Sequence, residues 1–235
     1  MIADNLAAVR ERIAAAAKAT GRTEQDIRLV AATKGVDPDR IGEAVSLGIG
    51  DLGENRVQDL RDKQAALGGI QVRWHMIGTL QRNKVAGVVG SVQLIHSVDS
   101  TKLAEAIARR AREAGLIQDV LLEVNVSGEP AKHGVALDAA VAAARGMLDM
   151  EGIRLRGLMT IPPAGDPSAA RAAFRALADL RDGLSGIAPD AIELSMGMSD
   201  DFDVAIEEGA TIIRVGTAIF GARAGDGAGK ATKRT

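Results

Sequence analysis

The sequence predicts an α/β protein built as a single (β/α)8 TIM barrel with one extra helix at its N-terminus. Eight short apolar runs, over 28–34, 51–53, 72–77, 92–96, 120–126, 153–160, 192–194 and 211–215, alternate with helix-like segments. Alternating β and α units of this kind imply a parallel sheet. The first run is nearly continuous in apolar residues, as a strand buried on both faces is. Eight units within about 190 residues is the count that closes a barrel, slightly under the usual size. A doubly wound open sheet is the rival. It is weakened because the first strand runs into Thr33-Lys34-Gly35-Val36 and not into a Gly-x-Gly-x-x-Gly turn.

Each element has its own signal. Over residues 2–19, Ile2, Leu6, Val9 and Ile13 share one helical face and Gly21 stops the pattern. This helix precedes the first strand, so it is an addition to the repeating unit. The strand 28–34 ends abruptly on Lys34. Pro38 then opens a helix through Ala44, Val45 and Leu47, closed by Gly48 and Gly50. Asp51–Gly53 runs into Glu54-Asn55, and a helix with Val57, Leu60 and Leu67 ends at Gly68-Gly69. The third strand finishes at Gly78, and the loop 79–84 leads into a short helix near 85–89. After the fourth strand, Asp99 or Ser100 caps a helix with the stripe Leu103, Ile107, Ala111 and Ala114. The fifth strand is followed by an irregular loop, 127–134, and an Ala-rich helix around 137–148. The sixth ends in Ile161-Pro162-Pro163, before a helix that buries Ala170, Phe174, Leu177 and Leu180. The turn Ser195–Ser199 links the seventh strand to a helix through Ile206. The eighth leads into Gly216–Gly221. The barrel is thus expected over 1–224, with a disordered tail over 225–235 and no second domain.

Composition narrows the function. With 46% hydrophobic and 26% charged residues the chain has an ordinary core and surface. A net charge of −2 gives no basic footprint for nucleic acid or an anionic membrane. Aromatic content of 2%, with no Tyr, argues against base-stacking platforms. Without Cys there is no disulfide, thiolate nucleophile or Cys-ligated metal. Asp4, Arg10, Glu11 and Arg12 interrupt the first helix, so it does not read as a secretory signal, and 85–95 is too short and too broken by glycine to span a bilayer. The chain is expected in the cytoplasm.

In a barrel the chemistry sits at the C-terminal ends of the strands. Those ends read Lys34, Glu54-Asn55, His75, Ser97, Asn125, Met159-Thr160, Ser195 and Arg214. Turns also attract polar residues, but a full ring of them describes a functional mouth. A partly desolvated ammonium releases its proton more readily, and the free amine attacks carbonyls, so Lys34 is a Schiff-base candidate. Barrels often bind phosphate with the last two loops. Here Ser195–Ser199 supplies hydroxyls and amides, while Gly216-Thr217 opens a helical segment whose free N–H groups face an anion. Ser199 also reads as a helix cap. An amine facing a phosphate site describes a pocket for pyridoxal 5′-phosphate, and equally a Schiff-base aldolase acting on a sugar phosphate.

Beyond these patterns the chain resembles the YggS/PROSC (PLPBP) family of pyridoxal-phosphate homeostasis proteins, barrels similar to the N-terminal domain of alanine racemase (fold type III). The carriers are Leu29–Lys34, Gly53–Gln58, Trp74–Lys84, Leu155–Pro162, Leu194–Phe202 and Arg214–Arg223. The resemblance implies that pyridoxal 5′-phosphate is held covalently on Lys34. Ser195, Ser199, Gly216 and Thr217 would surround the phosphate, Arg214 would face the pyridine nitrogen, and Asn55, His75 and Met159 would line the ring side. An arginine there cannot accept a proton, which leaves the ring a weak electron sink. Two departures stand out. The family commonly has Thr-Lys-Pro after the lysine where this chain has Gly35-Val36-Asp37, and Lys-Ser-Gly where it has Lys132-His133-Gly134.

The implied role is a monomeric carrier or buffer of pyridoxal phosphate, and of other B6 vitamers, that serves pyridoxal-phosphate-dependent apo-enzymes. The alternative is an amino-acid racemase or related enzyme of the same fold type. That alternative needs a second base, a tyrosine in alanine racemases, and here only His75, His96 and His133 remain. No metal ligands are expected.

Overall fold

A computed structural model describes residues 1–222 of the chain; the tail expected over 225–235 lies outside the described residues. Nine strands run in chain order: β1 Arg28–Ala32, β2 Asp51–Glu54, β3 Arg73–Met76, β4 Leu94–Val98, β5 Gln118–Asn125, β6 Val135–Ala136, β7 Ile153–Met159, β8 Glu193–Ser195 and β9 Ile212–Val215. Eight of them form one parallel sheet in the order β4-β3-β2-β1-β9-β8-β7-β5, and a β4–β5 pairing closes it into a barrel. All eight runs read from the sequence are there. The ninth strand, β6, pairs beside β5 through Val124–Val135 and Asn125–Ala136. Two residues carry too little periodicity to stand out from a loop.

The helices are α1 Ile2–Ala19, α2 Pro38–Ser46, α3 Val57–Ala66, α4 Thr101–Glu113, α5 Ala140–Leu148, α6 Pro167–Leu184, α7 Phe202–Glu207 and α8 Thr217–Phe220. Caps follow the sequence logic. Pro38 opens α2, and Ser100 Oγ accepts the Leu103 N–H at 3.3 Å at the start of α4. The helix expected near 85–89 is a 3-10 helix over Arg82–Gly87. The last unit ends in a helix of only four residues, and α1 packs on α7 and α8 to cover that wall. Its stripe Ile2, Leu6, Val9, Ile13, Ala16 and Ala17 is buried, and Asn5 Nδ2 ties it to the Ile219 carbonyl at 3.0 Å. Among the described residues, no helix is long and apolar enough to cross a membrane.

Alternation along each strand sorts the side chains into two regions. Leu52, Met76, Ile95, Leu122, Leu194 and Ile213 belong to the large apolar shell between sheet and helices. Val30, Ile77, Leu94, Leu121, Met159 and Ile212 form a small separate cluster inside the barrel. That cluster does not fill the interior alone. The remaining inward positions of β2, β3, β4, β5, β8 and β9 carry Asp51, His75, His96, Glu123, Ser195 and Arg214, all buried.

Candidate functional site

The first strand stops earlier than its apolar run. Thr33 leaves the ladder and Lys34-Gly35 form a turn, with Gly35 at φ +69°, a conformation that glycine adopts without penalty. Lys34 is therefore exposed at the barrel mouth, without the desolvation that a strand-end position would have imposed. The peptide before it is held firmly. Thr33 N–H donates to the Gly53 carbonyl at 2.9 Å, and Thr33 Oγ1 donates to Glu54 Oε1 at 2.5 Å. Lys63 of α3 reaches under the turn, with Nζ 2.5 Å from both the Thr33 carbonyl and Glu54 Oε1. Glu54 is fully buried and Lys63 nearly so. Sequence reasoning noted Glu54 only as a strand end and missed Lys63. The available signal was a lysine three residues after Leu60 on the buried face of α3.

Beside Lys34 lies a cleft of about 320 Å3 at the C-terminal ends of β1, β2 and β9, lined by Lys34, Asn55, Ser199, Arg214, Gly216 and Thr217 among others. Six of the nine residues expected at the site thus share one cleft. Two larger clefts lie elsewhere. One, of about 830 Å3, runs along the outer wall between α3 and the 3-10 helix and touches the site only through Asn55. The other, of about 670 Å3, opens at the N-terminal face.

The loops after β8 and β9 are joined by Ser199, whose Oγ accepts the N–H groups of Gly216 and Ala218 at 3.3 and 3.2 Å. It therefore caps the start of α8 from the neighbouring loop, whereas Asp201 precedes α7. On the opposite side, Gly78 lets Asn55 sit where it does. A Cβ at Gly78 would lie 2.5 Å from the Asn55 carbonyl oxygen.

Arg214 is the one cation at the cleft that is buried, at 5% exposure. Its Nη1 donates to Ser195 Oγ at 2.6 Å and its Nη2 to the Thr160 carbonyl at 3.0 Å. Burial lowers the guanidinium to about 10, which leaves it charged at neutral pH. Glu123 and Asp201 pull in the opposite direction but form no ion pair with it among the described residues. Burial also raises the Glu123 carboxyl to about 7, helped by Asp99 nearby.

His75, Ser195 and Met159 do not line the cleft. Met159 belongs to the apolar cluster inside the barrel. Ser195 lies beneath Arg214 and hydrogen-bonds His96 Nδ1 at 2.8 Å. His75 is further down, with Nδ1 3.0 Å from His96 Nε2 and Nε2 2.9 Å from Asp51 Oδ1. Strand-end position misleads here because each of these side chains points into the barrel below the mouth.

A family model described as alanine racemase, N-terminal domain, matches residues 5–224. Curated relatives cover nearly the whole chain. The "pyridoxal phosphate homeostasis protein" of Aquifex aeolicus is 46% identical, over 94% of this chain and 97% of its own length. That of Pseudomonas aeruginosa is 44% identical, over 94% and 96%. Among solved structures, PipY of Synechococcus elongatus with PLP bound superposes with a TM-score of 0.83 at 36% identity, covering 94% of this chain and all of its own. An alanine racemase from Clostridium difficile shares the fold, with a TM-score of 0.69 at 17% identity, over 95% of this chain and 57% of its own.

Proposed function

The chain belongs to the pyridoxal phosphate homeostasis protein family, and on that premise we propose that it binds pyridoxal 5′-phosphate in the cleft beside Lys34 and serves as a cytoplasmic, monomeric carrier of it. The observation that carries this reading is the donor set of the cleft. An exposed amine, a buried guanidinium with no carboxylate partner among the described residues, and the hydroxyl and N–H groups around Gly216 suit a small anion that also bears an aldehyde and a basic ring nitrogen. The residues present fit the cofactor. When bound, it supplies an aldehyde that condenses with amines and a ring that delocalises charge.

The parts then divide as follows. Lys34 is the amine that holds the aldehyde, on a turn whose preceding peptide is fixed by Thr33, Glu54 and Lys63. Thr217, Ser199 and the Gly216 N–H, which Ser199 Oγ now occupies, would hold the phosphate. Arg214 would donate to the ring nitrogen, and Asn55 would line the ring side. Because arginine keeps its protons at neutral pH, it leaves that nitrogen unprotonated and withholds the electron demand on which amino-acid chemistry depends. Apart from Arg214, the titratable side chains lining the cleft are Lys34 and Asp200. His75 and His96 are buried below it, and His133 is exposed beside Asp99. No histidine takes the place of the second base that a racemase requires, so we favour holding and handing on the vitamer, including to apo-enzymes, over turnover.

Purified protein mixed with pyridoxal 5′-phosphate is expected to turn yellow, with a visible band that borohydride abolishes and that Lys34→Ala lacks. Wild-type protein that stays colourless would overturn the assignment.

A further inference from the structure

A continuous chain of hydrogen bonds crosses the barrel from one face to the other: Arg214, Ser195, His96, His75, Asp51. Its lower end is fixed. Asp51 accepts two bonds from Arg73, at 2.8 Å from Nε and 2.6 Å from Nη2, and lines the cleft at the N-terminal face. Burial opposes its ionisation, yet bonds from His75 and Arg73 hold the carboxyl down to about 2. An ionised carboxylate only accepts, so His75 carries its hydrogen on Nε2.

From there each step has one solution. His75 faces Asp51, His96, Arg28 and Arg73. Burial and the two arginines keep the ring neutral against the pull of Asp51, so its Nδ1 is an acceptor. The donor facing it at 3.0 Å is His96 Nε2–H. His96 faces His75, Arg214 and Arg28, and burial with those neighbours keeps it neutral as well. Its bare Nδ1 accepts the Ser195 hydroxyl at 2.8 Å, and the Ser195 oxygen accepts Arg214 Nη1–H at 2.6 Å. Arg28 is itself paired with Glu193 at 3.6 Å and adds no donor to the chain. Every donor therefore points away from the cleft and towards Asp51. The reverse order would leave a bare His75 Nε2 against a carboxylate, and a Ser195 hydroxyl with no acceptor in a buried site.

The arrangement orients the guanidinium without neutralising it. A carboxylate placed directly on Arg214 would compete with any ligand for the same donors. Here the carboxylate that ends the chain, Asp51, is already paired with Arg73 and stands at the far end of three neutral groups, and Ser195 and Thr160 use two of the five N–H groups of the guanidinium. We propose that Asp51, His75, His96 and Ser195 are positioning residues, forming a wire of fixed direction through which a carboxylate on the N-terminal face governs how tightly Arg214, on the C-terminal side, holds the ring nitrogen of pyridoxal 5′-phosphate. This rests on the cofactor reading above for its ligand, but not for the wire itself.

Two arms separate the two claims. In the ligand-free full chain, nitrogen-15 NMR of the histidine side chains is expected to show His75 and His96 both neutral and both carrying hydrogen on Nε2 at pH 8. Asp51→Asn, whose amide oxygen in place of Oδ1 still accepts from both His75 Nε2 and Arg73 Nε, is expected to keep both hydrogens on Nε2. A charged ring, or hydrogen on Nδ1 in the wild type, would overturn the wire.

In the second arm, pyridoxal 5′-phosphate is titrated by absorbance, alongside an analogue with carbon in place of the ring nitrogen. His96→Leu takes away the acceptor that fixes the Ser195 hydroxyl beneath Arg214 and is expected to weaken the vitamer about tenfold, near the upper worth of one neutral hydrogen bond, and to leave the analogue unchanged. His96→Gln is expected to restore binding, because its amide offers an acceptor and a donor at a similar spacing. Asp51→Asn replaces the leucine variant if that one does not fold. Equal losses for vitamer and analogue, or no loss in any variant, would overturn the positioning role. If the histidines behave as expected but the wild type binds no vitamer, the cofactor reading falls together with the ligand half of the proposal, and the wire stands alone.

Discussion

Replacing Lys63 by Met tests whether the turn that presents Lys34 is clamped from below. Lys63 Nζ holds the Thr33 carbonyl and the Glu54 carboxylate, each at 2.5 Å, and Glu54 is completely buried. Methionine matches the length of the lysine stem, so the change removes the charge and little packing. Glu54 then keeps the Thr33 hydroxyl and the Asn55 N–H at 3.2 Å but loses its counter-charge. Breaking a buried pair on one side costs about 3–5 kcal/mol, and with Lys63 retaining a little exposure we expect about 3 kcal/mol. Adding Glu54→Gln removes the stranded charge, so the double variant is expected to recover about half of that loss. Chemical unfolding in urea reads both numbers, and the rate at which Lys34 takes up pyridoxal 5′-phosphate reports the turn itself. A Lys63→Met cost below about 1 kcal/mol, near the value of an exposed pair, or simple additivity in the double variant, would refute the clamp.

Other consequences follow from the same geometry. Thr217→Ala is expected to weaken pyridoxal 5′-phosphate about ten- to a hundredfold, the worth of one hydrogen bond to a charged group, and to leave unphosphorylated pyridoxal nearly unaffected. Equal losses in a parallel absorbance titration would place the phosphate elsewhere. Glu123 gives a stability signature in pH. Its folded carboxyl titrates near 7 against an ordinary value of 4.5, so the folded state binds the proton more tightly than the unfolded chain. Stability from this group is complete below about pH 4.5 and is lost as pH rises to about 7, by about 3 kcal/mol. Glu123→Gln is expected to flatten that slope in urea midpoints taken across the window. An unchanged slope would show that another group carries it.

Much of the scaffold is legible because burial on both faces writes each strand as an apolar run and the βα repeat fixes its neighbours. Lys34, Asn55 and Arg214 could be found by reading the strand ends, and Ser199, Gly216 and Thr217 by reading the last two loops, since in this fold the strand ends and the loops after them form the mouth. Depth within the barrel was not readable. His75 and Ser195 stand at strand ends like Asn55, but inward-pointing side chains on short strands reach below the mouth, and only the three-dimensional register shows which level each occupies. The partners of a buried polar residue are also long-range. His96 meets Ser195 across 99 positions, and no local pattern announces that. Lys63 was hidden for the opposite reason, as a charged residue on a helix face where lysines are normally solvated. Gly35, by contrast, shortened β1 by local chemistry alone.

The central claim is that Lys34 is the residue that holds the cofactor. Borohydride reduction of wild-type protein loaded with pyridoxal 5′-phosphate, followed by protease digestion and mass mapping, tests it most directly. One reduced pyridoxyl-phosphate adduct is expected, on the peptide that contains Lys34. An adduct on Lys132 or any other lysine in its place, or no adduct at all, would contradict it.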